Sequence, residues 1–239
     1  MAKADIEFPT ANRMGWTSGE AHEINLAFAE FAYSSFLPVL DVGAAFGVAA
    51  LEALRRGARV IVNDLSLDHL KEFRSKLSIS DIDRATVLQG KFPDDLDFAA
   101  GSLGAVHASN VLHFLTPAEF ERALDKMHRW LAPGGKVFIL TGSPYQQHLK
   151  GFIPEFERRK AAGTMWAGWV QDIRAYNDGP LLDLLPTSML LFDIELLTER
   201  FSAAGFKVEE KREYSRSGIP EACRYDGREN LFLIASKGC

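Results

Sequence analysis

Short apolar runs alternate along the chain with longer stretches in which apolar residues recur every three or four positions. The short runs are typical of buried strands, and the longer spacing is typical of helices that cover a sheet. The predicted strands are 38–42, 57–64, 85–88, 103–108, 136–141, 206–214 and 230–237. The predicted helices are 18–36, 66–77, 117–131 and 192–205, with another directly after residue 47. This alternation predicts a doubly wound α/β fold with a seven-stranded, mostly parallel sheet, in which the last two strands form an antiparallel addition.

The first predicted strand ends in two glycines, Gly43 and Gly47, and a helical pattern follows at once. Glycine lets the backbone turn tightly and approach a ligand, and the helix N-terminus presents free N–H groups. These features predict a loop that binds the polar part of a nucleotide or nucleoside. An ordinary glycine-containing loop of any doubly wound protein has the same pattern, so the loop alone leaves both interpretations open.

An acidic residue, Asp64, ends the second predicted strand and lies 21 positions after Gly43. In a parallel βαβ unit this spacing places the carboxylate at the edge of the neighbouring strand, where it can accept hydrogen bonds from a ribose diol. The alternative is that Asp64 only caps the helix that begins near Ser66, because both residue types are favoured caps. Spacing and position together favour ribose binding.

The regular alternation stops after Gly142. Residues 143–190 are rich in aromatic residues and contain no regular βα unit. A segment of this length after a central strand lies where ligands bind in open α/β sheets, so we expect a helical lid, with a structural insertion or an oligomer contact as the alternative. The predicted organisation is an N-terminal helical segment (1–36), a cofactor-binding core (37–142 and 191–239) and the lid (143–190).

Composition narrows the classes of partner. The net charge of −5 provides no general attraction to nucleic acid or to anionic membranes, so neither is an expected partner. The cysteines, Cys223 and Cys239, lack the spacing of a zinc site, and we expect no metal. The first residues lack the apolar segment of a signal peptide and no stretch has the apolar length of a membrane span, so a cytoplasmic location is expected. The oligomeric state is not predicted.

Five short sequence motifs occur along the chain in a fixed order. They are LDVGAAFG (40–47), VND (62–64), ASNVLHFL (108–115), RWLAPGGKV (129–137) and LLTERFSAAGFKV (196–208). In order and spacing they resemble the D-x-G-x-x-x-G loop, second-strand acid, fourth-strand motif, P-G-G turn and late helix–strand unit of the class I S-adenosylmethionine-dependent methyltransferases, of the kind with a generic methyltransferase domain and small-molecule substrates. The resemblance spans 37–142 and 190–237, and it implies a Rossmann-like methyltransferase fold.

The resemblance implies S-adenosyl-L-methionine as the cofactor. The Gly43–Gly47 loop would lie against its methionine portion, Asp64 would bind the ribose, and Asn110 and Val111 would flank it. Lys91 stands where relatives often have an aspartate that meets the adenine amino group; Phe92 would supply a backbone N–H and an apolar wall, with Asp94 or Asp95 as substitutes for the acid. The implied cofactor-binding set is Asp41, Gly43, Ala44, Gly47, Asp64, Leu65, Lys91, Phe92, Asn110 and Val111.

The implied reaction is methyl transfer to an oxygen, nitrogen or carbon of a small molecule by in-line displacement, which needs mainly alignment of the reacting atoms. If a base takes part, the candidates by position are His113, His148 and Tyr145, although a histidine after the fourth strand is often structural in this family. His107 is expected to face the core. Aromatic residues of the lid are the expected acceptor walls: Trp166, Trp169 and Tyr176, the last also a candidate base.

Two other functions stay open at this stage. A nicotinamide-dependent oxidoreductase also uses a glycine turn and a ribose-binding acid, but residues 43–47 lack the G-x-G-x-x-G spacing. A catalytically inactive regulatory protein that binds the cofactor would have the same motifs, and product formation with an acceptor distinguishes it from an enzyme.

Overall fold

A seven-stranded sheet with helices on both faces forms the body of the computed structural model, which describes residues 8–10, 15–17, 19–216 and 218–238. The strands are β1 (Phe8–Pro9), β2 (Trp16–Thr17), β3 (Val39–Val42), β4 (Val60–Asp64), β5 (Ala85–Gln89), β6 (Leu103–Ser109), β7 (Leu131–Gly142), β8 (Trp169–Val170), β9 (Met189–Leu190), β10 (Phe206–Tyr214) and β11 (Asn230–Lys237). The α-helices are α1 (Glu23–Ser34), α2 (Val48–Arg55), α3 (Leu67–Ser75), α4 (Ile79–Ile82), α5 (Pro117–Trp130), α6 (Ile153–Ala161) and α7 (Ile194–Ala203). No helix within the described ranges is both long enough and apolar enough to cross a membrane.

The strand order in the large sheet is β10-β11-β7-β6-β3-β4-β5. β3, β4, β5, β6 and β7 are parallel, and β11 runs antiparallel to both β7 and β10. The predicted doubly wound sheet with its antiparallel addition is therefore confirmed. As a consequence, the carboxyl ends of β4, β3, β6, β7 and β10 and the beginning of β11 all lie along one edge of the sheet.

The core consists of two apolar layers, one on each face of the sheet. Successive strand residues point to opposite faces: in β3, Leu40 packs into the layer under α5 and α7, whereas Val39 packs into the layer under α1, α2 and α3. The largest buried side chains of the two layers are Trp130, Phe120, Phe192 and Phe201 on one face and Phe28 and Phe73 on the other.

Local sequence signals determine where α5 begins. Thr116 Oγ1 accepts a hydrogen bond from the Glu119 N–H, and Glu119 Oε2 accepts one from the Thr116 N–H at 2.8 Å, so the two residues form a capping box with Pro117 at the first helical position. Other boundaries differ from the prediction. α1 begins at Glu23 rather than near residue 18, and the predicted turn at 132–135 is a bulge within β7, where the partner changes from Leu103 to Ala105.

The segment 143–190 forms a small apolar cluster of its own. It contains one α-helix, α6, the short β8–β9 pair and 3-10 turns at Gln147–Leu149, Ile173–Ala175 and Pro180–Leu184, so it is less helical than the predicted lid. The cluster includes Phe152, Phe156 and Leu149 and packs against Phe114, which follows β6. The segment therefore lies over the carboxyl edge of the sheet. Of the predicted segment 1–36, positions 1–7, 11–14 and 18 lie outside the described residues.

Candidate functional site

A cavity of about 260 Å³ runs along the carboxyl edge of the sheet. It is lined at one side by Gly43, Asp64 and Phe92, and at the other by Arg216 and Asn230. The edge from the end of β4 to the end of β10 covers five strand-to-strand steps, roughly 24 Å. The lining residues therefore extend from β3 and β4 at one side to β7, β11 and β10 at the other.

The glycines of the loop after β3 have two different roles. Gly43 lines the cavity with φ +57°, and a Cβ there would lie 2.4 Å from Val111 Cγ2. Gly47 has φ +76°, but a Cβ there would lie 2.2 Å from the Phe73 ring, and Gly47 is not among the cavity residues. Gly47 is therefore required by its left-handed backbone conformation and by internal packing against Phe73.

Asp64 is buried at the end of β4 and connects the loop to α3. Its Oδ2 accepts a hydrogen bond from the Ala45 N–H at 2.8 Å, and its Oδ1 accepts one from the Ser66 N–H at 2.8 Å and lies 3.0 Å from His69 Nδ1. Ser66 Oγ caps α3, so Asp64 supports the cap without replacing it. The side chain also lines the cavity. Both interpretations of Asp64 from the sequence, a structural one and a ligand-binding one, are compatible with this position.

Asp41 belongs to a buried chain of hydrogen bonds. Its Oδ1 lies 2.7 Å from His107 Nδ1, and His107 Nε2 lies 3.2 Å from Asn25 Nδ2. Asn25 Oδ1 accepts a hydrogen bond from the His22 N–H at 2.7 Å, so its amide nitrogen faces His107 and donates to Nε2. His107 therefore carries its hydrogen on Nδ1 and donates it to Asp41. His107 lies in the interior of the sheet, as expected, but it pairs with the predicted cofactor residue Asp41.

The segment after β5 places Lys91 and Phe92 in the cavity wall. The Lys91 ammonium pairs with Glu119, and the Lys91 N–H donates to Asp95 Oδ2 at 2.9 Å. Asp94 pairs with Arg122 outside the cavity. Neither acid proposed as a substitute for the adenine contact lines the cavity, whereas the Phe92 side chain and Leu65 do.

Asn110 follows β6 in a left-handed backbone conformation, with φ +56°. Its N–H donates to the Leu140 carbonyl at 2.7 Å, and both Asn110 and Val111 line the cavity. Asparagine adopts this conformation more readily than most residues, and such strained positions cluster at binding sites. The fourth-strand motif thus changes direction at the centre of the cavity.

Two histidines lie beside each other over β6 and β7. His113 Nδ1 lies 3.1 Å from Thr141 Oγ1, and both His113 and His148 line the cavity. Burial and the nearby His148 lower the pKa of His113 to about 3, and burial lowers the pKa of His148 to about 4. Both imidazoles are therefore neutral at pH 7.

The other predicted acceptor and base residues lie outside the cavity lining. Tyr145 donates to Glu157, and burial followed by this hydrogen bond raises its pKa well above the usual value. Trp166 packs edge-on against Phe120, and Trp169 also packs against that core layer. Tyr176 packs against Phe152. Trp166 and Trp169 therefore bury apolar surface against the core layer of the sheet, and Tyr145 and Tyr176 bury theirs within the insertion.

The sequence analysis missed a polar group at the far side of the cavity. Arg216 follows β10, is 7% exposed, and places Nη1 2.5 Å from His22 Nε2. Asn230 at the start of β11 is 5% exposed, and its Oδ1 has no hydrogen-bond partner. No sequence motif marks these residues; a strand end at the carboxyl edge of the sheet was the available signal. Among the described residues, no group of three or more His, Cys, Asp or Glu side chains is arranged for a metal ion.

The sequence is similar to known methyltransferases over part of its length. Residues 39–135 match the family model described as a methyltransferase domain. An uncharacterized methyltransferase of Synechocystis sp. is 34% identical over 123 residues, which are 52% of this chain and 55% of that protein, so the match spans about half the length of that relative.

Solved structures share the fold at low sequence identity. An S-adenosylmethionine-dependent methyltransferase from Mesorhizobium loti is 18% identical with a TM-score of 0.60, over 88% of this chain and 96% of that one. The 1,6-didemethyltoxoflavin-N1-methyltransferase of Burkholderia thailandensis, solved with 1,6-didemethyltoxoflavin and S-adenosylhomocysteine, is 18% identical with a TM-score of 0.60, over 91% of this chain and 80% of that one. Residues 39–135 therefore match a methyltransferase domain, and the whole sheet has the fold of the class I S-adenosylmethionine-dependent methyltransferases, whose cofactor is S-adenosylmethionine.

Proposed function

We propose that the chain transfers a methyl group from S-adenosylmethionine to a small-molecule acceptor bound in the same cavity. The observation that carries the proposal is the continuity of the cavity, from Gly43 and Asp64 at one side to Arg216 and Asn230 at the other. An in-line displacement requires donor and acceptor to meet in one enclosed space, with the reacting atoms aligned.

The residues of the first side fit the cofactor. A carboxylate offers about four lone-pair positions, and Ala45, Ser66 and His69 account for three around Asp64, which leaves acceptor capacity toward the cavity. A ribose hydroxyl is a donor that fits this position. We assign the methionine portion to the backbone of Gly43 and Ala44, the base to Leu65, Lys91 and Phe92, and the central part of the cofactor to Asn110 and Val111.

Two of the predicted cofactor residues act through others. Asp41 accepts from the Ala50 N–H at the start of α2 and pairs with His107, so it orients the loop and the helix behind it. Gly47 allows the loop to pack on Phe73. We propose both as positioning residues for the cofactor side of the site.

S-adenosylmethionine supplies a methyl group that is already activated by its bond to a sulfonium sulfur. The chain then has to orient the acceptor and exclude water. Buried apolar residues border the cavity next to Asn110, among them Phe92 and Leu115. His113 and His148 reach the same space as neutral imidazoles. Because a general base works best with a pKa near the operating pH, the lowered pKa values favour acceptors that need little help with proton removal.

The small size of the acceptor is supported by the roof of the cavity. Leu185 and Met189 of the insertion both line it and are almost fully buried, so the insertion covers part of the acceptor side. The structurally similar Burkholderia enzyme contains a small heterocyclic ligand with S-adenosylhomocysteine.

Isothermal titration calorimetry tests the cofactor half of the proposal. S-adenosylmethionine and S-adenosylhomocysteine should bind with a stoichiometry of one per chain, and NAD should show no heat of binding. Formation of S-adenosylhomocysteine with a panel of small acceptors then tests the transfer. Binding of NAD in preference to S-adenosylmethionine would support the oxidoreductase alternative, and cofactor binding without product would support the inactive one.

A further inference from the structure

The guanidinium of Arg216 is buried at the acceptor side of the cavity, away from the residues assigned to the cofactor. A buried charge is retained only when it is compensated, because removal from water is costly. The described residues provide Arg216 with no ion pair to a carboxylate within 4.0 Å. The side chain lines the cavity, so a bound ligand can supply the missing charge.

The groups around Arg216 are neutral. His22 accepts from Nη1, and burial, followed by the charge of Arg216, lowers the pKa of His22 to about 4. Tyr214 and Cys223 also interact with the guanidinium, and burial raises the pKa of both, to about 12 for the thiol. Neither residue carries a negative charge at pH 7.

Among the described residues, no acidic side chain near the cavity forms an ion pair with Arg216. Asp41 and Asp64 have the partners described above. Glu229 is buried, and its Oε1 accepts from the Tyr225 and Gly227 N–H groups, whereas its Oε2 has no hydrogen-bond partner; it forms no ion pair with Arg216 within 4.0 Å. Glu20 lines the cavity as an exposed residue. The charge of Arg216 therefore stays uncompensated within the described part of the chain.

The orientation of the guanidinium leaves one edge open. Nη1 faces His22, and the buried Nε has no hydrogen-bond partner. Nε–H and Nη2–H form the edge opposite to Nη1, and this pair of parallel donors matches the two oxygens of a carboxylate. The buried Oδ1 of Asn230 also lacks a partner in the same cavity; it is an acceptor, so it fits a hydrogen-bond donor elsewhere on the ligand and not the carboxylate itself.

The remaining lining of this side is apolar. Ile219, next to Arg216 in the loop after β10, is 6% exposed, and Leu185 and Met189 face the same cavity from the insertion. An occupant that matches both features has an apolar body and a single anionic group. One uncompensated arginine balances one negative charge, which favours a carboxylate over a phosphate dianion.

We propose that Arg216 is a specificity-determining residue that binds the carboxylate of the methyl acceptor, so that the acceptor is a small carboxylic acid with an apolar body. The role of the bound acid as methyl acceptor rests on the proposed methyltransferase function. The anion site itself is a property of the cavity and does not depend on that function. His22 positions the guanidinium, and its backbone is held in turn by Asn25 and the chain to Asp41.

The test compares acids with their amides on the protein saturated with S-adenosylhomocysteine. The probes are benzoate, 2-naphthoate and indole-3-acetate, each paired with its uncharged amide, and phenyl phosphate as the dianionic arm; binding is measured by calorimetry. At least one acid should bind ten times more tightly than its amide, and the preference should decrease as salt is added. If no acid binds more tightly than its amide, or if phenyl phosphate binds more tightly than every acid, the proposal is overturned.

Variants locate the effect at Arg216. Arg216→Gln should reduce the acid preference to less than twofold while the affinity for S-adenosylhomocysteine changes by less than threefold. Arg224→Gln, at an arginine on the same loop that is about half exposed, is the control and should retain the preference. An acid preference that survives in a folded Arg216→Gln protein overturns the assignment. If that variant does not fold, the comparison of acids with amides on the unmodified protein still decides the proposal. If the unmodified protein does not bind S-adenosylhomocysteine, the proposed function, and not the anion site, is contradicted.

Discussion

The carboxylate of Asp64 holds the backbone of the glycine loop in place, because its Oδ2 accepts a hydrogen bond from the Ala45 N–H at 2.8 Å. Ala45 has φ +48°, a conformation that a non-glycine residue rarely adopts. The same carboxylate accepts from Ser66 at the start of α3. One side chain thus sets the geometry between β3, β4 and α3 at the cofactor side of the cavity.

Replacement of Asp64 by Ala should weaken both the cofactor site and the fold. The change leaves the Ala45 and Ser66 N–H groups and His69 without their acceptor, which costs about 1–3 kcal/mol for each buried unsatisfied group. The affinity for S-adenosylhomocysteine should decrease at least tenfold by calorimetry. Asp68→Ala, at an exposed position in the first turn of α3, is the matched control. An unchanged affinity in Asp64→Ala would remove the ribose assignment.

Replacement of Gly47 by Ala tests the packing role of that glycine. The new Cβ would be 2.2 Å from the Phe73 ring at a φ of +76°, so steric overlap adds to backbone strain, and a loss of about 2–4 kcal/mol in the free energy of unfolding is expected. Gly163→Ala has a similar φ of +71° but no atom within 4 Å of the new Cβ, so it should lose only about 1 kcal/mol. Urea unfolding measures both. Equal losses would show that strain alone, and not contact with Phe73, requires Gly47.

The histidines of the cavity should make stability depend on pH between pH 7 and pH 5. His113 has a pKa of about 3 in the folded chain, below its usual value of 6.5, mainly through burial. As the pH falls below 6.5, the unfolded chain therefore takes up a proton that the folded chain does not, and stability decreases until the pH reaches the folded pKa. This effect amounts to about 1–2 kcal/mol between pH 7 and pH 5.

Urea unfolding of His113→Gln at the two pH values measures this contribution. The variant should lose less stability between pH 7 and pH 5 than the unmodified protein, whatever its stability at pH 7. The same difference between the two pH values in both proteins would contradict the lowered pKa.

Sequence patterns correctly predicted the features that depend on residues close together in the chain. Apolar runs predicted the seven strands of the large sheet, and the spacing from Gly43 to Asp64 correctly placed both residues at one edge, because parallel βαβ units have fixed geometry. The glycine pattern did not reveal that the space beside Gly47 is filled by Phe73. That requirement depends on how α3 packs, which periodicity does not specify.

Long-range pairs between side chains were beyond the reach of the sequence. Arg216 and His22 are 194 positions apart and meet only because β10 ends beside the start of α1. The aromatic residues of the insertion were predicted to be walls of the acceptor site, but Trp166 and Trp169 pack against the core layer. A large ring gains the same burial in a core as in a binding site, so residue type alone does not distinguish the two.

The buried chain from Asp41 to His22 should contribute to stability through Asn25. Asn25→Ala removes the acceptor of the His22 N–H and the donor to His107, and we expect the free energy of unfolding to decrease by about 1–3 kcal/mol. Ser34→Ala, which removes an exposed hydrogen bond at the other end of the same helix, should change it by less than about 0.5 kcal/mol. Urea unfolding compares the two, and equal effects would mean that the chain adds no stability of its own.

The hydroxyl of Tyr145 should prove dispensable for catalysis, although the sequence made it a candidate base. It donates to Glu157 outside the cavity, and burial and this hydrogen bond raise its pKa, so it does not give up its proton near pH 7. Tyr145→Phe keeps the ring, which packs on Phe156 and lies 3.5 Å from the Arg228 guanidinium. The variant should lose about 1 kcal/mol of stability. Its rate of S-adenosylhomocysteine formation, measured with whichever acceptor the panel yields, should stay within twofold of the unmodified protein. A decrease of a hundredfold or more, with unchanged cofactor affinity, would instead restore Tyr145 as a general base, since such a group typically contributes that much.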